Sequence, residues 1–127
     1  LEYPMVDQEP LDRWSFGRVS LLGDAAHPMV PRGSNGAGQA ILDARTLADR
    51  LATCPDPVPA LQSYQEERLP ATAAVVRANR TNPPDAILRE VYLRTGDKPF
   101  SQLDDVIDQT ELDAIVERYK RVAGYSR

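Results

Sequence analysis

The sequence predicts an α/β chain, mostly helical with few strands, that forms part of a larger sheet-containing domain. Two observations carry this. The run Arg18-Val19-Ser20-Leu21-Leu22 is short, apolar and flanked by Gly17 and Gly23, the signature of a buried strand. After it, several segments carry apolar residues at helical spacing, and no other run reads convincingly as a strand. A strand apolar on both faces belongs inside a sheet covered on both sides. Left unpaired, it would strand its own N–H and C=O groups. Its partners are therefore expected outside this chain, which reads as an incomplete domain.

Composition sets outer bounds. A length of 127 residues suits one compact domain with a modest core. The formal net charge of -4 gives no basic face for nucleic acid. No apolar run approaches the ~18 residues that a membrane helix needs. The opening Leu1-Glu2-Tyr3-Pro4 has neither the basic nor the apolar region of a signal peptide, and no initiator Met, so the chain is expected to start in mid-protein. A single cysteine, Cys54, cannot form an internal disulfide, which fits a reducing compartment and makes the cytoplasm the expected location. One histidine and one distant cysteine make no metal set.

Element by element, residues 1–16 read as irregular, broken by Pro4 and Pro10, with Met5 and Val6 in a short strand and a helical turn over 10–14. Residues 25–35 read as a loop punctuated by Pro28, Pro31 and Gly33. A helix is expected over 36–52, with Ala40, Ile41, Ala44, Leu47, Ala48 and Leu51 as its apolar stripe and Arg45 and Asp49 paired on the outer side. Pro55, Pro57 and Pro59 separate it from a second helix over 60–80, which has Leu61, Tyr64, Ala71 and Val75 on one face. Pro70 should kink or restart that helix, since an interior proline costs roughly 3 kcal/mol. Pro83-Pro84 opens a short helix with Ile87, Leu88 and Val91 inward, stopped by Gly96. The last helix, over 111–122, turns Leu112, Ile115, Val116, Tyr119 and Val122 to one side. Asp104-Asp105 and Glu66-Glu67 read as solvated faces.

The chemistry lies between Gly17 and Ala44. Here a strand ends in an acidic residue, Asp24, and a glycine-rich loop leads into a helix. Ligands of open α/β sheets bind outside the carboxyl ends of strands, where Asp24 could accept hydrogen bonds from ligand hydroxyls. Asn35-Gly36-Ala37-Gly38 opens the helix, so unpaired N–H groups and the positive dipole end face an anion or a polarised carbonyl. The small residues Gly36, Ala37 and Gly38 let a flat ligand approach the backbone. The spacing of Gly33, Gly36 and Gly38 is GxxGxG, unlike the GxGxxG of a dinucleotide pyrophosphate loop, and no P-loop lysine follows.

This stretch closely resembles the second flavin fingerprint of the class A flavoprotein monooxygenases, the para-hydroxybenzoate hydroxylase fold family, and within it the salicylate and phenazine hydroxylase branch. The matching residues are Gly17-Arg18-Val19, Leu22-Gly23-Asp24-Ala25-Ala26-His27, Pro31, Gly33, Gly36 and Asp43-Ala44. The likeness covers roughly residues 3–80. It implies that 1–80 is the C-terminal part of a Rossmann-like FAD-binding domain and 81–127 a helical extension. It further implies a flavin site at Gly23, Asp24, Pro31, Gly33, Asn35, Gly36, Ala37 and Gly38, with no catalytic side chain among them. Asp24 would hold the ribityl chain, the backbone near Pro31 would lie along the isoalloxazine, and the amides of 36–38 would face its N1–C2=O edge.

The family reaction uses NAD(P)H to reduce FAD and then inserts one atom of O2 into an electron-rich aromatic substrate. This chain departs from the family pattern by lacking the GxGxxG unit and nearly all of the substrate domain. Its remaining partner would be the N-terminal part of the same protein, and the fragment alone should be inactive. A homo-oligomer is left open. Related Gly-Asp fingerprints in halogenases and isoprenoid reductases give one alternative; a helical interaction module that no longer binds FAD gives another. His27 is expected to be structural, bonding the loop to the sheet. Asp24 as a mere turn cap, Arg32 as a solvated arginine, Cys54 as an inert thiol, and Trp14 and Phe16 packed beneath the strand are the plain readings of those residues.

Overall fold

The computed structural model describes residues 4–81, Pro83 and 85–125. Tyr3, named above among the opening residues, and Pro84, named at a helix start, lie outside them. Ser15–Phe16 (β1) and Val19–Ser20 (β2) form an antiparallel hairpin in which Ser15 faces Ser20 and Phe16 faces Val19. Gly17 supplies the turn, at a φ of 63° that suits glycine. The hairpin corrects the expected buried central strand. Only two residues of 18–22 are strand, and Val19 is 64% exposed, as is much of Phe16. Among the described residues β2 pairs with β1 alone, so nothing covers its outer face. Met5 and Val6 form no strand and are exposed, and 10–14 form no helix.

Four helices follow: α1 (Asn35–Thr53), α2 (Pro57–Thr81), α3 (Ala86–Thr95) and α4 (Gln109–Ala123). Short 3-10 turns, Gly23–Ala25 and Arg32–Ser34, precede α1. The core is built around Trp14, Ala26 and Tyr64, with Leu11, Leu21, Leu47 and Leu69 packed against it. The Trp14 ring lies 5.7 Å from that of Tyr64 and 5.6 Å from that of His27. Both Trp14 and Ser15 donate their backbone N–H to Gln65 Oε1, at 2.6 and 2.7 Å, which fastens the hairpin to α2.

The orientation of α1 overturns its expected stripe. Its buried residues are Asn35, Gln39 and Asp43, a polar row at every fourth position, whereas Ile41 is 69% exposed and Ala44, Ala48 and Leu51 also face outward. Polar groups go inside here because each meets a hydrogen-bonding partner on α2 or α4, Asn35 the Tyr119 hydroxyl and Gln39 and Asp43 the Arg68 guanidinium, which offsets their desolvation. Helix α2 runs through Pro70 without a break for 25 residues, where a kink or restart was expected. Tertiary packing of Leu61, Tyr64, Thr72, Val75 and Val76 on the core outweighs one missing amide.

Helix α3 ends at Gly96 in the left-handed conformation, as expected, but buries no residue, and Leu88 is exposed. It is tied to α4 by Arg94, which donates to both carboxylate oxygens of Glu111 at 2.8 and 3.0 Å. Helix α4 starts at Asp108, whose side chain accepts the Glu111 N–H, and stops at left-handed Gly124. It buries Leu112, Tyr119 and Ala123, while Val116 and Val122, expected inward, are exposed.

Candidate functional site

The loop between β2 and α1 brings the fingerprint together. Gly23 sits at a φ of 60° and begins a 3-10 turn that presents Asp24 to solvent. No hydrogen bond to the Asp24 carboxylate is seen among the described residues. A Cβ added to Gly36 would lie 3.8 Å from Asp24 Oδ1 and 3.9 Å from Met29 Cγ. The acidic group thus stands at contact distance from the helix start. Pro31, Arg32, Gly33 and Ala37 are exposed, and Gly33 turns the chain at a φ of 73° just before α1.

Next to Asp24 lies a buried ionic cluster. Asp43 is fully buried, and its Oδ2 accepts the Gly23 N–H at 3.2 Å and His27 Nε2 at 2.5 Å. Its Oδ1 accepts Arg68 Nε at 2.8 Å, and the Nη2 of that arginine donates to Gln39 Oε1 at 2.6 Å. Burial alone would raise the Asp43 carboxyl, but hydrogen bonds from His27, Arg68 and the Gly23 amide outweigh it and hold the group below its ordinary range. One carboxylate on α1 therefore fixes the backbone next to Asp24, the loop histidine and α2. His27 is structural as expected, with a correction: its Asp43 partner stands on α1, not on the sheet.

The Asn35 side chain is buried and donates to the Tyr119 hydroxyl on α4, which leaves its backbone for the role expected of it at the helix opening. Gly38 faces Tyr125, and a methyl group at 38 would collide with that hydroxyl. Arg32 is a surface arginine as expected, and it pairs with the exposed Asp85 at 2.8 Å. Trp14 packs inside, whereas Phe16 lies outside beneath the Arg13 guanidinium, 4.7 Å from the ring centre. The Cys54 thiol donates to the Asp56 carbonyl at 3.2 Å. A groove of about 300 Å³ between α3 and α4, lined in part by Glu90, Arg94, Glu111 and Arg118, lies apart from Asp24.

Sequence reasoning missed the cluster of Asp43, Arg68 and Gln39 and the contacts of Tyr119. For the cluster there was a signal: Asn35, Gln39 and Asp43 recur at every fourth position of a helix whose other side is apolar. No local signal marks Tyr119, which meets Asn35 across 84 positions. Among the described residues no group of side chains could hold a metal, and no helix is long and apolar enough to cross a membrane.

Among the described residues the Asp24 carboxylate has no hydrogen-bond partner, and it stands beside small residues at a helix start above a buried ionic support. Comparison with known proteins gives the family. Residues 5–79 match the family model described as "FAD binding domain". A phenazine 1,6-dicarboxylic acid hydroxylase of Lysobacter antibioticus is 61% identical over 80 residues, 63% of this chain and 20% of that protein. A 3-amino-4-hydroxybenzoate 2-monooxygenase of Streptomyces platensis is 51% identical over 79 residues, 61% of this chain and 20% of its own. A 3-hydroxybenzoate 6-hydroxylase of Aquipseudomonas alcaligenes is 47% identical over 76 residues, 60% of this chain and 19% of its own. The chain spans about a fifth of the length of these curated relatives. It belongs to the FAD binding domain family, in the form carried by class A flavoprotein aromatic hydroxylases.

Proposed function

We propose that this chain is the C-terminal flavin-contacting part of an FAD-dependent monooxygenase that hydroxylates an aromatic ring with NAD(P)H and O2. The observation that carries the reading is the exposed, unpartnered Asp24 beside Gly36 at the start of α1. In the proposed site Asp24 accepts hydrogen bonds from the ribityl hydroxyls. The first amides of α1, at Gly36, Ala37 and Gly38, face the electron-rich edge of the flavin ring, where the dipole end of a helix favours negative charge. Gly23, Pro31 and Gly33 shape the backbone around the ring, and Asp43 keeps that backbone in place. The flavin supplies the redox and oxygen chemistry, and the protein orients and shields it.

Several features support an incomplete domain. The relatives are about three times longer, and Ile41, Leu51, Val19 and Leu22 are exposed apolar side chains that a Rossmann-like sheet would cover. On this reading the NAD(P)H site, most of the aromatic pocket and the adenosine-binding half of the FAD site belong to the rest of the protein, and this chain alone is inactive. The relatives' names point to a hydroxylated or carboxylated aromatic acid as substrate class.

The test is the flavin-to-protein absorbance ratio of full-length protein after dialysis. Asp24→Ala should keep its circular dichroism and lose FAD. Charge-assisted hydrogen bonds contribute roughly 1.5–3 kcal/mol each, so losing one lowers affinity by about ten- to 150-fold, and losing two by more. A folded Ala variant with full flavin would overturn the assignment.

A further inference from the structure

The end of α4 meets the start of α1 at three points. The Tyr119 hydroxyl, on a residue 8% exposed, accepts a hydrogen bond from Asn35 Nδ2. Gln39 Nε2 donates to the Ala123 carbonyl at 2.9 Å, and the Tyr125 hydroxyl covers Gly38. A phenol has a single proton to give. Asn79 Oδ1 at 2.6 Å is placed to take it, whereas the Arg32 carbonyl at 3.5 Å is too distant to compete. Asn79 in turn donates to the Val30 carbonyl at 3.4 Å. Asn35, Tyr119, Asn79 and Val30 thus make one chain of contacts that grips both ends of the segment carrying Pro31 and Gly33. The family match ends at residue 79, so Tyr119 lies outside it.

We propose that Tyr119 is a positioning residue for the flavin site, holding the 31–35 turn and the opening of α1 in flavin-ready geometry through Asn35 and Asn79. This rests on the FAD reading above. A helix terminus stabilises charge only if its amides are already aimed, because any reorganisation is taken from the binding energy. Three elements, α1, α2 and α4, meet at one hydroxyl, and Asn79 carries the linkage on to the loop at Val30. Burial pushes the Tyr119 phenol above its ordinary range, so it keeps its proton and stays a donor.

The experiment uses the full-length flavoprotein with Tyr119→Phe, which keeps the ring and removes the hydroxyl. FAD release should accelerate about three- to tenfold, the scale of one hydrogen bond. The visible flavin absorbance should shift in shape, and the flavin midpoint potential should become more negative as the amides lose their aim. Asn35→Ala combined with Tyr119→Phe should release FAD no faster than the worse single variant, since both cut the same linkage. Unchanged FAD release, spectrum and potential in Tyr119→Phe, with only a lower thermal midpoint, would reduce Tyr119 to a packing residue and overturn the proposal. A wild-type protein that neither purifies with FAD nor takes it up would sink the FAD reading itself. Should Tyr119→Phe prove insoluble, Asn79→Ala breaks the same chain and is held to the same outcomes.

Discussion

At the scale of single residues, the site is divided between a carboxylate that faces out and one that faces in. Asp24 is exposed and unpartnered, and Asp43 is buried and accepts from three donors. Their variants should therefore fail differently. Asp24→Asn should weaken FAD binding less than Ala does, since an amide keeps an acceptor but loses the charge; equal and complete flavin retention in both would make Asp24 a turn cap. Asp43→Asn should instead destabilise the fold. Removing one member of a buried ion pair typically costs about 3–5 kcal/mol, because Arg68 is left unpaired in the interior.

Asp43 also sets an acid limit. Its carboxyl is held below the ordinary 3.8 in the folded protein, so its contribution is fully present above that pH and is lost as pH falls beneath it. Thermal midpoints from pH 7 down to pH 3 should drop steeply at the acid end for wild type and more gently for Asp43→Asn. Parallel curves would remove Asp43 from the acid response. Both aspartates stood in the legible fingerprint, yet only Asp24 was readable as a ligand group. The role of Asp43 depends on Arg68 arriving from α2, which spacing along the chain does not reveal.

At the scale of elements, helices were legible in existence and approximate extent, because periodicity and glycine stops are local. Helix α1 was expected over 36–52 and spans Asn35–Thr53, and Gly96 ends α3 as anticipated. Which face is buried was not legible for α1. The apolar stripe and the polar row are both periodic, and the choice between them was made by Arg68 and Gln39 meeting Asp43. The strand failed for a related reason: its apolar residues describe a cover that no described residue of this chain supplies. Pro70 was overestimated, since a long helix with many buried contacts tolerates one missing amide. Its residual cost is measurable. Pro70 is exposed, so Pro70→Ala should restore a donor toward the Glu66 carbonyl without touching the core. The helix gains up to ~3 kcal/mol and the looser unfolded chain gives back roughly 0.4–1, leaving about 2 kcal/mol of net stabilisation. A lowered thermal midpoint would show that the proline is adapted to its place.

At the scale of the molecule, two faces of α1 divide the labour. The inner one locks the loop that precedes it to α2 and α4, and the outer one leaves Ile41, Ala44, Ala48 and Leu51 exposed, as Val19 and Leu22 are elsewhere. Contiguous exposed side chains of this kind mark a surface that is covered by protein. The hairpin adds an open edge of unpaired backbone groups, which favours self-association when uncovered. The isolated 127-residue chain should therefore associate with itself, and on the proposed reading it should bind FAD only weakly. Ile41→Glu separates the two states of this face. In the isolated chain it should shift sedimentation toward monomer, because a charge interrupts the apolar stripe without entering the core. In the full-length protein the same change should cost stability and flavin content, since burying a side chain of this size contributes about 1.5–3 kcal/mol and an unpaired carboxylate there costs more. A full-length Ile41→Glu protein with wild-type thermal midpoint and full flavin would mean that this face is solvated in the whole molecule, and that the sheet of the FAD domain lies elsewhere.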